Sequence, residues 1–191
     1  MHEPADLADP SRHLESIWRS LALAARTVDS PLRTPTLATA DLDGSPDART
    51  VVLRSAEAQS RAITLYTDAR SPKVQQLEAE PRAALSFWDA ASQVQLRIRG
   101  KCRRVDDAAA AEAWTGVPEH NRLNYRRALP PGSVVSGFDA VEHVAGDGVE
   151  NFALLVFVGS EIDWLWLDRA GHKRCRFDLS ATPATRQWIV P

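Results

Sequence analysis

The stretch from Arg49 to Lys73, RTVVLRSAEAQSRAITLYTDARSPK, constrains the fold more than any other part of the chain. It reads as a strand, a turn, a second strand and the first turn of a helix. Cationic and hydroxyl side chains gather where the second strand meets that helix. Ser71-Pro72 has the form of an N-cap followed by proline at the first helical position, where the ring pre-sets φ and removes no needed donor. The free N–H groups and the positive dipole end of such a helix attract anions, and Arg70 and Lys73 add full charges to that partial one. A phosphate monoester matches this corner.

The remaining bounds are broad. With 191 residues, 44% of them hydrophobic, the chain can bury a sizeable core, and a single domain over 1–191 is expected. A formal charge of −2 supplies no general basic field, which argues against nucleic-acid and anionic-membrane partners. Cys102 and Cys175 stand alone, without CxxC or zinc-like spacing, as expected of packed or half-exposed thiols in a reducing compartment. The first thirty residues carry Glu3, Asp6, Asp9, Glu15 and Asp29 and lack an apolar run long enough for a signal peptide or a span. The expected location is the cytoplasm. His2, His13, His120, His143 and His172 show no metal-ligand spacing, and no Rossmann or Walker pattern is present.

Taken in order, Asp9-Pro10 repeats the cap-and-proline signal. Leu14, Ile17, Trp18, Leu21, Ala25 and Val28 then recur at helical spacing, predicting a helix over about 10–28 that covers a sheet or a partner subunit. His13 is expected at its solvated surface. Thr36 to Ala40 and Ala48 to Arg54 flank Asp41-Leu42-Asp43-Gly44, the best hairpin signal in the chain. The second of these strands is apolar on both faces and is expected to be central, and the arginine at each end needs a partner, either a bound anion or water. Ile63 to Thr67 and Ala83 to Trp88 read as strands around a short helix that buries Val74 and Leu77. From Gln93 to Val105, Val94, Leu96 and Ile98 alternate with Gln95, Arg97 and Arg99, predicting an antiparallel strand with one wet or ligand-facing side. No stacking aromatics interleave with its basic residues, as single-strand nucleic-acid binding would require. Asp106 caps a helix to about Trp114, and a loop with a helix around Leu123 to Ala128 runs to Glu150 as a lid or interface element. Phe152 to Val158, Glu161 to Leu167 and Lys173 to Leu179 are the last expected strands. The class is mainly β with flanking helices (α+β), an antiparallel barrel over about 35–105 and 150–191 with an insertion at 106–149.

Laid out this way, the sequence resembles the pyridoxamine 5′-phosphate oxidase-like flavoproteins of the FMN-binding split-barrel fold, and most of all a divergent oxidase-related branch. The likeness covers Thr36 to Val105 and returns at Ile162 to Pro191. The family's R-x-V-L-L-K strand stands here as Arg49-Thr50-Val51-Val52-Leu53-Arg54. The resemblance implies Arg49 on the FMN phosphate, the backbone of Thr50, Val51 and Val52 along the flavin, and Arg54 facing the ring or the substrate. The family's F-Y-T-N-x-x-S-R-K reads Leu65-Tyr66-Thr67-Asp68-Ala69-Arg70-Ser71-Pro72-Lys73, which implies cofactor contacts for Tyr66, Thr67, Ser71 and Lys73. Pro72 replaces an arginine, and Arg70 is expected to restore its charge. Q-V-R-V-E-G becomes Gln95-Leu96-Arg97-Ile98-Arg99-Gly100, so Gln95 matches the glutamine beside the flavin. From R-L-H-D-R only His172 and Arg174 survive, implying a substrate-orienting or proton-shuttling histidine and a cofactor-binding arginine, while Ala170 stands where the family has its first arginine. The family tryptophan falls near Leu165, between Trp164 and Trp166, and Trp166 is taken as the flavin contact. What the resemblance implies is an FMN-dependent oxidoreductase acting on a small amine or alcohol, a B6 vitamer among the options, as a homodimer with residues of both chains at each site. A deazaflavin enzyme of the same fold, or a flavin carrier without turnover, are the alternatives.

Overall fold

Both cap-and-proline signals start helices. The computed structural model describes residues 7–191, so His2, Glu3 and Asp6 lie outside it. Helix α1 spans Pro10–Arg26, and the Asp9 carboxylate accepts from the N–H groups of Ser11 and Arg12. Helix α2 spans Pro72–Ala79. Two more helices, α3 (Asp107–Thr115) and α4 (Glu119–Arg122), lie in the insertion. The strands are β1 (Thr36–Ala40), β2 (Pro46–Thr50), β3 (Leu53–Glu57), β4 (Ala62–Asp68), β5 (Arg82–Asp89), β6 (Val94–Arg104), β7 (Phe152–Trp166), β8 (Lys173–Asp178) and β9 (Thr185–Ile189).

All pairings among these strands are antiparallel, in the order β2-β1-β5-β6-β7-β4-β3, with β8 on β7 and β9 on β8. Strand β7 organises the sheet. One of its edges pairs β6 over 155–166, while its other edge pairs β4 over 152–158 and β8 over 161–166. The change of partner falls where Ser160 is left out of the register, a one-residue bulge that bends the strand. Opposite it, a Cβ on Gly100 would lie 2.1 Å from the Val158 carbonyl oxygen, so the close approach requires glycine. The sheet therefore forks at this point. Two expected strands, Phe152 to Val158 and Glu161 to Leu167, prove to be halves of one, because the bulge interrupts the period without ending the ladder.

The expected strand Ala48 to Arg54 is instead split. β2 ends at Thr50, Val51 donates to the Pro35 carbonyl at 2.9 Å, and β3 begins at Leu53. These two strands end the pairing path on either side, so the expected central position is overturned. The apolar residues on two faces belong to a corner: Leu53 is fully buried and Val51 packs against the same core.

That core joins Ile17, Trp18 and Leu21 of α1 to the inward residues of the barrel. His13 lies in it too, 1% exposed and edge-on to Trp164 and Phe177, contrary to the expected surface position. Val28 lies past the end of α1 and is exposed, and Ala24 takes the buried place. Cys102 and Cys175 are packed, and burial pushes each thiol up to about 12. In the insertion, α4 and a single 3-10 turn at Leu123–Tyr125 replace the expected helix around Leu123 to Ala128. Trp188 falls in β9, a strand the sequence reading lacks. Among the described residues no helix is long and apolar enough to cross a membrane.

Candidate cofactor site

The end of β4 and the start of α2 form the polar corner. Successive β4 side chains alternate, so Ile63, Leu65 and Thr67 point inward while Thr64 and Tyr66 point the other way. Thr67 and Ser71 are both buried, their hydroxyl oxygens 3.2 Å apart, and Lys73 Nζ donates to each, at 3.1 and 3.0 Å. Ser71 occupies the N-cap position of α2, yet its hydroxyl makes no capping bond and joins this cluster instead. Burial, and then the charge of Arg49, hold the Lys73 ammonium below the ordinary lysine value. Arg49 reaches the same corner from β2. Its Nη1 donates to Thr39 Oγ1 at 2.6 Å, and its Nη2 bonds Asp47 and, at 2.9 Å, Gln76 Oε1. Two cations, two hydroxyls and a helix N-terminus thus converge. That donor set suits a phosphate monoester.

The other face of β4 is aromatic. Tyr66 meets Phe152 at 5.0 Å between ring centroids, and Trp114 and Tyr125 of the insertion close on Phe152. The Arg54 guanidinium stands 5.0 Å over the Tyr66 ring, and its Nε is buried with no hydrogen-bond partner. A buried orphan donor of this kind is costly without an acceptor, so this wall is suited to an anionic or carbonyl-bearing ligand. Burial pushes the Tyr125 phenol up to about 12, with Arg54 pulling the other way. Thr50 is exposed at the end of β2, and Val51 and Val52 form the half-buried corner that leads to Arg54.

Arg70 does something other than expected. Its Nε and Nη2 donate to both oxygens of buried Asp68, at 3.0 and 2.7 Å, and its Nη1 donates to the Arg127 and Ala128 carbonyls. Its charge is matched by Asp68 and its reach is toward the insertion, so it does not restore the donor replaced by Pro72.

Gln95, Arg97, Asp163, Leu165 and Arg174 line a separate groove. Arg174 binds both Asp163 oxygens, at 3.0 and 2.8 Å, and Arg97 binds one of them at 2.6 Å. Burial alone would raise the Asp163 carboxyl, but the hydrogen bonds from Arg174 and Arg97 outweigh it and hold the group below its ordinary value. Trp166, expected at the cofactor, lies on the opposite face with Trp164, in the core, and Leu165 is the residue that faces the groove. His172 is exposed at the entry to β8.

Tyr66 pairs with Leu154 and Gln95 pairs with Leu165, so they flank opposite ends of β7, about 35 Å of strand from each other. Sequence reasoning missed Thr39, Gln76, Asp47 and Asp163. Spacing held a signal for two of them: Gln76 follows Lys73 by three residues on one helix face, and Asp47 precedes Arg49 by two on one strand face.

Known proteins resemble this chain in sequence over part of its length and in fold over nearly all of it. Residues 15–106 match the family model of the pyridoxamine 5′-phosphate oxidase FMN-binding domain. A pyridoxine/pyridoxamine 5′-phosphate oxidase of Saccharopolyspora erythraea is 36% identical over 115 residues, 60% of this chain and 50% of that protein. The match therefore spans half the length of this relative. A pyridoxamine 5′-phosphate oxidase-related, FMN-binding protein of Nostoc punctiforme superposes with a TM-score of 0.77 at 22% identity, covering 97% of this chain and all of its own (100%). PhzG of Burkholderia lata, solved with tetrahydrophenazine-1-carboxylic acid, gives 0.74 at 16% identity over 100% of this chain and 97% of that one. These two superpositions show a shared fold. The stretch that matches this FMN-binding domain, residues 15–106, carries the polar corner, and the fold it sits in is an antiparallel split barrel.

Proposed function

We propose that this protein is an FMN-dependent oxidoreductase of the oxidase type, acting on a small amine or alcohol. The observation that carries this reading is the convergence of Lys73, Thr67, Ser71 and Arg49 at the start of α2. In this reading those four groups hold the FMN phosphate, each charge-assisted hydrogen bond contributing about 1.5–3 kcal/mol. Tyr66 and the backbone of Thr50, Val51 and Val52 flank the ring, and Arg54 offers its unpartnered Nε to the ring or to an anionic substrate. FMN bound there would supply the two-electron chemistry, with O2 as the final acceptor.

Gln95 and Arg174 enter this reading from a second chain. They flank the far end of β7 from Tyr66, so a homodimer that sets the groove of one chain against the corner of the other completes each site. Asp163 keeps Arg174 oriented. His172, exposed two residues before Arg174, would orient the substrate or carry a proton. The compartment we propose is the cytoplasm, in keeping with unpaired, packed cysteines.

The visible spectrum of the purified protein, with the mass of the extracted cofactor, tests the central claim. A yellow protein releasing FMN is expected, and a deazaflavin or a colourless protein that takes up no FMN would overturn it. Arg49→Ala with Lys73→Ala should release FMN, whereas full affinity in that double variant means that the phosphate lies elsewhere. Peroxide formation on adding amine or alcohol substrates then separates an oxidase from a carrier.

A further inference from the structure

We infer that Gln76 is a positioning residue for phosphate recognition: one buried amide on α2 clamps Arg49 of β2 into the corner that Lys73 occupies. This rests on the reading of that corner as a phosphate site. Gln76 is 2% exposed, yet it carries a polar group into the space between α2 and the β1–β2 hairpin. That group is used on both sides. Its Oε1 accepts from Thr39 Oγ1 at 2.7 Å and from Arg49 Nη2 at 2.9 Å, while its Nε2 donates to Asp47 at 2.9 Å and to Asp41 at 3.3 Å. Arg49 Nη1 also donates to Thr39, which closes a ring of Thr39, Gln76 and Arg49.

The chemistry of the ring restricts what can stand at position 76. An arginine needs an acceptor there and Asp47 needs a donor, and an amide is both at once. Glutamate would add a third carboxylate beside Asp47 and Asp41. An apolar side chain would leave Thr39 and Arg49 short of a partner in a buried place. The clamp also answers an electrostatic problem. Arg49 and Lys73 are like charges close enough for Arg49 to depress Lys73, and they sit on elements 24 residues apart in sequence. Arg49 is already paired with half-exposed Asp47, so without the link to α2 that Gln76 provides, only Asp47 and Thr39 of the β1–β2 hairpin would hold the guanidinium, and repulsion from Lys73 would move it away from the anion.

Affinity for FMN compared with riboflavin, which lacks the phosphate, separates positioning from mere support of the fold. Fluorescence titrations of wild type and Gln76→Ala should show riboflavin affinity unchanged within about twofold and FMN affinity reduced by about tenfold or more. Gln76→Asn, which keeps an amide but withdraws it by one methylene, carries the test if the alanine variant does not fold. A preference for FMN over riboflavin equal to that of wild type, whether both affinities fall together or neither moves, overturns the inference. Equal affinity for the two flavins in wild type itself instead removes the phosphate reading on which it rests.

Discussion

Lys73 is cationic in a place that penalises charge, and this makes the corner sensitive to pH. A bound phosphate needs the protonated ammonium, and burial followed by the nearby Arg49 charge lowers the pKa of the free side chain from 10.5. FMN affinity should therefore fall as pH rises through that lowered value, before an ordinary lysine would lose its proton. Lys73→Arg should push the loss to higher pH in the same titration, and identical pH profiles for the two proteins would remove Lys73 from the phosphate. His13 behaves as a second buried base, with the opposite consequence for the fold. Burial first, and then the charge of Arg186, bring it from 6.5 to about 4. A base depressed in the folded state contributes its full stability above the unfolded value and loses it as pH falls from 6.5 toward 4. The loss should approach about 3 kcal/mol. Urea denaturation across that window should show it in wild type and a flatter profile in His13→Phe, and parallel profiles would contradict the assignment.

At the scale of elements, the pair formed by Asp68 and Arg70 ties the polar corner to the insertion. Asp68 also accepts from the Arg70 N–H at 2.8 Å, and Arg70 holds the carbonyls of Arg127 and Ala128. Those residues adjoin Tyr125, which closes the aromatic wall beside Arg54. Arg70→Ala leaves Asp68 buried and unpaired, a defect that costs on the order of 3 kcal/mol. Hydrogen exchange should show faster opening of residues 126–144 in this variant, with β6 and β7 protected as before. Unchanged protection in the insertion would mean that the clamp is not what holds it. The segment is otherwise closed on itself, with an isolated bridge from Arg127 to His143 and the N–H groups of Ala128 and Val144 donating to the Glu142 and Arg126 carbonyls, so Arg70 is a tie from it to the turn after β4.

For the whole molecule, the long β7 strand sets the arrangement by keeping the corner and the Gln95 groove at its two ends. In the proposed homodimer each site takes the corner from one chain and the groove from the other, and complementation tests this directly. One variant would carry Arg49→Ala and Lys73→Ala, the other Gln95→Ala and Arg174→Ala. Neither alone should hold FMN. Co-expressed, half the dimers are mixed and each mixed dimer has one intact site, so about a quarter of all sites should bind FMN. No recovered binding would show that each site is built within a single chain.

The parts of the fold legible in the sequence are those set by neighbours a few residues apart. Asp9-Pro10 and Ser71-Pro72 start helices, the Asp-Gly turn makes the β1–β2 hairpin, and the period of two in β6 puts Gln95, Arg97 and Arg99 on one face. The spacing of Thr67, Ser71 and Lys73 carries the polar corner for the same reason, since a strand end, a cap and a first helical turn have fixed local geometry. Only the tertiary structure decided the rest. It decided that Val51 and Val52 turn a corner, that β7 continues through a bulge, and that Trp164 and Trp166 face the core while Leu165 faces the groove. It also assigned Arg70 to Asp68 and buried His13. Each of these depends on which distant segment arrives alongside, and that is settled by the free energy of packing the whole barrel, a quantity no local pattern contains.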